Sequence, residues 1–393
     1  MHARTMCLAV AAFAIGMTCA AGATCQLSDI QLEGPVEGTR KLGTWWPDQG
    51  APAFVMTNDL NLNPQHSVLS CADAECDVQN LDALDIAALG ASAPAAFADP
   101  VTAQPSIVAA HPTGLVLYRC NDVSCTTRQI IALPNTQGVV LHSNVVRFGA
   151  NDWAVAYIDA PTEQGHLRLL HCQNADCSAS ATRIIFNQFD HAMHQIRDVH
   201  LARANDGGIQ VASLDVALTA NPVIGVRMSY CQTAECVTPM HRMFALGPPT
   251  PDLDHLALAL RPDGRPLVLI PRRDDPVLLD CGDRLCFSSH PLRPLPSDTN
   301  DWYAGLVLDS ENRPIIGHIR GNEAGFLQCL DSQCDSSVSN RIPLSLSSPL
   351  AATLSQNTHG DLVLSHIDRE EGVPHATRCV STVLFATDFE ADD

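Results

Sequence analysis

Residues 144–186 read NVVRFGANDWAVAYIDAPTEQGHLRLLHCQNADCSASATRIIF. The stretch divides into four short runs: NVVRFGA (144–150), WAVAYID (153–159), HLRLLHC (166–172) and CSASATRIIF (177–186). Between them lie ND, APTEQG and QNAD. Short runs rich in Val, Leu, Ile and aromatics, bounded by polar turn residues, predict strands. The third run ends in Cys172, and after four turn residues Cys177 opens the fourth.

That Cys-x₄-Cys spacing occurs six times: Cys71/Cys76, Cys120/Cys125, Cys172/Cys177, Cys231/Cys236, Cys281/Cys286 and Cys329/Cys334. The first cysteines lie 49, 52, 59, 50 and 48 residues apart. A fixed period near 50 marks a repeat architecture. The fifth unit reads HLALAL, RPDGR, PLVLIPR, RDDP, VLLDC, GDRL, CFSSHPL, and the sixth repeats the order from Trp302 onward. In every unit the second cysteine is expected to open the fourth strand. Four strands per repeat of this length match a β-propeller blade. The second unit is the least regular. Residues 83–103 are Ala-rich and leave room for a helical turn.

A seventh unit follows the sixth pair. LAATLSQ (350–356), DLVLSHID (361–368) and PHATRC (374–379) supply three strands ending in Cys379, with no second cysteine behind it. Cys25-Gln-Leu-Ser-Asp-Ile-Gln-Leu32 looks like the segment that follows every second cysteine, such as CTTRQIIAL (125–133). The expectation is an all-β, seven-bladed propeller over residues 24–379, in which residues 25–33 complete the last blade and Cys25 pairs with Cys379. The chain-entropy model assigns about 2 kcal/mol to each six-residue Cys loop and roughly 6 kcal/mol to the ring-closing bond.

Cysteines flanking a four-residue turn between antiparallel strands face each other within disulfide reach. The second turn residue is Asp73, Asp122, Asn174, Thr233, Asp283 or Asp331, side chains that cap their own backbone and suit tight turns. Zinc would need four ligands converging on one ion, which pairs on separate blades cannot do. A thioredoxin-like role would call for Cys-x-x-Cys and a lowered thiol pKa.

The N-terminus reads as a secretory signal. Arg4 is the basic start, residues 7–17 (CLAVAAFAIGM) form a short apolar run, and Ala21-Gly22-Ala23 fits cleavage before Thr24. Residues 1–23 are therefore a predicted signal peptide and residues 380–393 a C-terminal tail. This route leads to an oxidising compartment, where disulfides persist. No later run of 18 apolar residues occurs, so no membrane span is expected. The 393 residues carry a net charge of −20, with Lys41 the only lysine. Such a surface is a poor partner for phosphate, which disfavours nucleic acid and anionic membranes.

Candidate chemistry is sparse. His191, His194 and His200, with Asp190 and Asp198, cluster between the third and fourth units and are a weak candidate for a transition metal. The second strands end at Asp59, His111, Asp159, Asp215, Arg272, Arg320 and Asp368. In a propeller these positions form a ring on one face. The loops beyond them add Glu163, Asp274, Asp275, Glu323, Glu370 and Glu371. A cation or basic ligand could bind there. No Gly-x-Ser-x-Gly elbow, P-loop, zincin motif, Asp box or EF-hand calcium loop occurs. No cofactor is called for, and catalytic residues cannot be named. Four Trp and four Tyr are few for a sugar-binding surface.

The unit also resembles a repeat of secreted bacterial propeller-like proteins. The residues that carry the likeness are DGRPLVLI (263–270), ENRPIIGHI (311–319), LRLLHCQNADC (167–177) and VLYRCNDVSC (116–125). The resemblance implies an extracellular propeller, and that group shares no known activity. The tail VLFATDFE (383–390) resembles an ending of many exported proteins of Gram-negative bacteria, which implies secretion or cell-surface display, with the periplasm as the alternative. Three readings of function stay open. The first is a monomeric binding module for an extracellular protein or glycan. The second is a polysaccharide hydrolase or lyase, and the third a surface structural protein.

Overall fold

The computed structural model describes residues 25–381 apart from 33–38, 47–50, 59–63, 88–93, 137–139, 160–165, 188–193, 218–222, 249–254, 273–275, 289–291, 297–300, 345–348 and 369–371, and a few single or paired residues. The predicted signal peptide, Asp59, Glu163, Asp190, His191, Asp274, Asp275, Glu370, Glu371 and the tail from 382 onward lie outside the described residues, as does the side chain of Cys25.

Among the described residues, twenty-eight strands form seven antiparallel sheets of four. The chain enters at β1 (Cys25–Gln31) and then builds blade one from β2 (Thr39–Trp45), β3 (Ala53–Asn58), β4 (Gln65–Cys71) and β5 (Gln79–Ile86). Blade two is β6 (Ala95–Ala98), β7 (Pro105–His111), β8 (Gly114–Cys120) and β9 (Arg128–Ala132). Blade three is β10 (Val140–Arg147), β11 (Trp153–Asp159), β12 (His166–Cys172) and β13 (Ser180–Asn187). Blade four is β14 (His194–Arg203), β15 (Ile209–Ala217), β16 (Val223–Cys231) and β17 (Met240–Gly247). Blade five is β18 (Ala257–Leu260), β19 (Pro266–Ile270), β20 (Val277–Asp280) and β21 (Arg293–Pro294). Blade six is β22 (Asp301–Leu308), β23 (Pro314–Arg320), β24 (Glu323–Cys329) and β25 (Ser337–Pro343). Blade seven takes β26 (Pro349–Gln356), β27 (Leu362–Asp368) and β28 (Pro374–Ser381), and its fourth strand is β1.

The first strand of each blade touches the first strands of both neighbours, in sequence order, until β26 meets β2. These strands therefore line the axis and the ring is closed. Closure rests on seven register pairs between β1 and β28, from Cys25↔Ser381 through Leu27↔Cys379 to Gln31↔His375. Cys379 is disulfide-bonded.

The burial pattern explains the sequence pattern. A second strand is sandwiched between two neighbouring blades and is buried on both faces, as β11 (WAVAYID) and β27 (LVLSHID) are throughout. Such strands tend to read as near-continuous apolar runs rather than alternating ones, as WAVAYID does, while β27 also buries Ser365, His366 and Asp368. Fourth strands lie on the rim and stay largely exposed, as β9 and β17 do. The core is seven apolar clusters, one per interface between successive blades. Between blades two and three, for example, Val108, Leu115 and Leu117 pack on Trp153, Val155 and Leu170. Each such side chain contributes about 1.5–3 kcal/mol by leaving water.

All six expected pairs form disulfides: Cys71–Cys76, Cys120–Cys125, Cys172–Cys177, Cys231–Cys236, Cys281–Cys286 and Cys329–Cys334, with Cα–Cα distances of 4.5–4.8 Å. They are more than braces on the rim. Cys172 and Cys177 sit in the core between blades two and three, Cys231 and Cys236 in the next, and Cys281 and Cys286 in the one after. Cys334 is partly buried against the cluster between blades five and six. The amide of Cys125 donates to the Asp122 carbonyl at 3.1 Å, and the other five turns repeat this bond, as from Cys286 to Asp283 and from Cys334 to Asp331. The capping carboxylate reaches further than a simple turn requires. Asp283 accepts from the amides of Leu285, Phe287 and Ser288 and from the Ser288 hydroxyl. Burial opposes its charge, but the bonds from Ser288, Phe287 and Leu285 outweigh that and bring its pKa down to about 2.

Three local expectations are corrected. First, the second cysteines do not open the fourth strands. Cys76, Cys125, Cys177, Cys236, Cys286 and Cys334 all precede them, since β5, β9, β13, β17, β21 and β25 begin at Gln79, Arg128, Ser180, Met240, Arg293 and Ser337. Each of these cysteines has a left-handed backbone, with φ from 48° at Cys236 through 56° at Cys286 to 60° at Cys76 and Cys334. That conformation ends a turn and cannot join a ladder. Second, in the Ala-rich stretch 83–103, residues 83–86 end β5 of blade one and residues 95–98 form β6 of blade two, with no helical turn among the described residues; residues 88–93 lie outside them. Pairing with blade neighbours overrides the helix propensity of alanine. Third, the fourth strand of blade five, expected to run on from Cys286, shrinks to the two residues of β21. Pro291, Pro294 and Pro296 fall in that segment. Proline offers no amide to the ladder, so only a short rim strand survives.

A bulge interrupts the first strand of blades one, three, four, six and seven. In blade six it falls at Gly305, with φ 74°. A Cβ there would sit 2.2 Å from Leu354 Cβ of the next blade, so glycine permits the close approach of two inner strands.

Candidate binding face

Four antiparallel strands per blade assign every connection to one of two faces. The Cys-x₄-Cys turns lie on one, with the loops between first and second strands. Connections from second to third strands, and from each blade to the next, lie on the other. The cysteine face is nearly uniform: six four-residue turns with one hydrogen-bond pattern. The opposite face varies. Its second-to-third-strand connections run from two residues (112–113, 321–322) to six (59–64, 160–165, 271–276).

The predicted ring of strand-end residues lies on this variable face, with Asp59 outside the described residues. Its carboxylates mostly point into the protein. Asp159 is buried and pairs with Arg168 of the neighbouring strand at 2.7 Å. Asp215 is fully buried, accepts from Ser213 Oγ at 2.8 Å and from Arg227 Nε at 2.6 Å. The Arg227 guanidinium in turn lies 3.5 Å from the centre of the Phe186 ring of blade three. Asp368 is buried as well, its amide bonded to the Val373 carbonyl. Arg272 is half-buried and donates to the Leu246 carbonyl, which ties blade five to blade four. His111 and Arg320 close two-residue hairpins; Arg320 is exposed, and His111 Nδ1 lies 2.7 Å from Thr113 Oγ1. Glu323 is exposed beside Arg341 at 2.8 Å. Arg168 and Arg227 were not singled out in the sequence. The signal for them is an arginine a few positions into the third strand, near a strand-end Asp.

The described part of the histidine-rich stretch is strand, not connection. His194 and His200 both lie on β14. Six residues of strand separate their backbones by about 20 Å, too far to share one ion. His200 Nε2 instead sits 3.2 Å from Asp198 Oδ2.

Blade seven holds a cluster that the sequence reading did not assemble. His366 and His375 face each other across β27 and β28, with rings stacked at 5.6 Å. Asp29, on β1, places its two carboxylate oxygens 3.8 Å from His366 Nε2 and 3.9 Å from His375 Nδ1. Burial pushes the His366 imidazole down to about 4; the Asp29 charge opposes that shift, and His375 adds to it. The partners come from opposite ends of the chain, so only ring closure reveals the cluster.

The tyrosine and tryptophan side chains are committed to the core, whereas Phe287 on the cysteine face is exposed. All four tyrosines, and Trp45, Trp46 and Trp153, are buried, and Trp302 is partly so. No helix among the described residues is long and apolar enough to cross a membrane. The disulfides suit an oxidising, extracellular setting.

No protein-family model matches the chain, and no curated protein matches it by sequence. Solved structures do match in fold. One is YCF48 bound to D1 peptide, at 12% identity and a TM-score of 0.56, covering 92% of this chain and 97% of that one. Another is the polysaccharide lyase Uly1, at 7% identity and a TM-score of 0.50, covering 88% and 90%. At such identities the likeness is one of fold: this chain is a seven-bladed β-propeller with disulfide-bonded Cys-x₄-Cys blades.

Proposed function

We propose that the protein is an extracellular binding module that engages a protein partner through the variable face. The contrast between the two faces carries this reading. A repeated, disulfide-stapled scaffold holds one face constant while connection length changes from blade to blade on the other. Variable loops on a rigid frame are where recognition usually resides. Burial of nearly all Tyr and Trp favours a protein over a glycan, since sugars are commonly held by stacking rings. The net charge of −20 favours a partner with a basic surface. Secretion by a Gram-negative bacterium and a monomeric state complete the proposal.

The test is a solid-phase screen of the labelled mature chain against secreted-protein and glycan arrays. Variants with 160–165 or 59–64 cut to two residues should lose the hits. Val123→Ser and Phe287→Ser, on the cysteine face, should keep them. Hits that survive both loop deletions would overturn the assignment of the face. A polysaccharide shortened during incubation, read as new reducing ends or unsaturated products, would replace the module with an enzyme.

A further inference from the structure

We infer that Asp29, His375 and His366 form a divalent transition-metal site, best suited to zinc, that locks the N-terminal strand into the last blade. The three side chains come from β1, β28 and β27, three adjacent strands of one sheet. Register puts them on one face of it: His366 is opposite His375, and Asp29 is opposite Thr377, two residues beyond. That face also carries Leu27, Leu364 and Cys379, which pack against blade six. The site is thus sealed in the last blade interface, with the Asp29 side chain, 24% exposed, at its outer side.

Three observations favour a cation there. First, both imidazoles are almost wholly buried, and His366 Nε2 and His375 Nδ1 have no hydrogen-bond partner. An unpaired buried nitrogen is costly unless something binds it. Second, His366 Nδ1 lies 3.4 Å from the Leu364 carbonyl, which can accept only a proton that Nδ1 carries. A neutral ring so oriented turns the Nε2 lone pair toward Asp29. Backbone carbonyls fix metal-binding histidines in this way. Third, a lone pair facing a carboxylate is repulsive unless positive charge lies between them. The ligand atoms all lie within 4.8 Å of one another. Ligands at about 2.0–2.2 Å from one zinc stand roughly 3.4 Å apart, so side-chain shifts of about an ångström close the set. Two nitrogens and one carboxylate oxygen suit zinc, cobalt or nickel better than calcium or magnesium. Water reaching the Asp29 side would supply a fourth ligand.

The role follows from where the ligands sit. Seven backbone pairs hold β1 to β28. A metal bound by both chain ends would add a bond across that seam and would link metal affinity to ring closure. It does not depend on the binding role of the variable face.

The experiment uses the untagged mature chain, stripped with EDTA and dialysed. Elemental analysis after zinc addition should find one equivalent retained per chain. Cobalt should give visible d–d absorption of a four-coordinate N/O site. Zinc at one hundred times its dissociation constant should raise the melting midpoint by roughly 3–6 °C. Asp29→Asn and His375→Gln should each weaken binding at least tenfold, while His359→Gln, an exposed residue of the cysteine face, should not. Asp29→Asn is partly exposed and serves if His375→Gln fails to fold. Absence of stoichiometric metal in the folded wild type, or unchanged cobalt absorption in Asp29→Asn, would overturn the site.

Discussion

We propose that the disulfide partner of Cys379 is Cys25, as the sequence predicts, and removing this pair should then cost far more than removing a hairpin pair. The comparison is Cys25→Ser with Cys379→Ser against Cys120→Ser with Cys125→Ser. In the chain-entropy model the difference depends only on loop length, because the constant term cancels. The hairpin closes six residues and the ring closes 355. Three-halves RT times the logarithm of that ratio is about 4 kcal/mol. The expected losses are then about 2 kcal/mol for the hairpin variant and roughly 6 kcal/mol for the ring variant. Equilibrium unfolding in guanidinium, without reductant and with EDTA, is the assay; EDTA keeps any metal at Asp29 from masking the effect. Trp46 lies beside the seam, in the cluster shared by blades seven and one and under Arg378 of β28, and reports it by fluorescence. Limited proteolysis adds a second readout, since β1 released from β28 becomes cleavable. Equal losses in the two variants would refute the reasoning, as would peptide mapping of the native chain that finds Cys25 as a free thiol.

Two further outcomes follow from the buried charges and the turns. Arg227→Ala leaves Asp215 fully buried without its cation and should cost about 3–5 kcal/mol in thermal unfolding, whereas Arg227→Met with Asp215→Leu should cost much less. A single-variant cost no larger than the double variant's would mean that the pair is not desolvated. The Asp283 pKa, about 2 when folded, lies below its unfolded value of about 4. Its stabilising effect is therefore full above the unfolded value and is lost as pH falls toward the folded one. Asp283→Ala should flatten the fall of the melting midpoint across that window, and an unchanged slope would show that the turn bonds are not made.

The blade pattern was legible because it is local. A second strand buried on both sides is mostly apolar along its length, so WAVAYID and PLVLI announce themselves. Four residues between cysteines at strand ends allow few structures, and Asp or Asn within them supplies the cap. The seventh blade could be inferred because CQLSDIQL repeats a fourth strand that PHATRC lacks. Local propensity left room for a helical turn at the Ala-rich residues 95–98, where pairing with β7 makes strand instead. It also misjudged Cys286 and Cys334, with the other second cysteines, as strand residues: spacing alone does not reveal that the turn ends in a left-handed residue.

Sequence by itself therefore determined the number of blades, the six Cys-x₄-Cys disulfides and the strand that completes the last blade, since each depends on a short pattern that recurs along the chain. The tertiary structure decided which charges are available. Asp159, Asp215 and Asp368 share a strand-end position with exposed Arg320, yet packing against the preceding blade buries them, and two of them pair with Arg168 and Arg227. It also joined Asp29 to His366 and His375 across more than three hundred residues. No local pattern encodes that meeting, because it exists only once β1 has docked on the last blade.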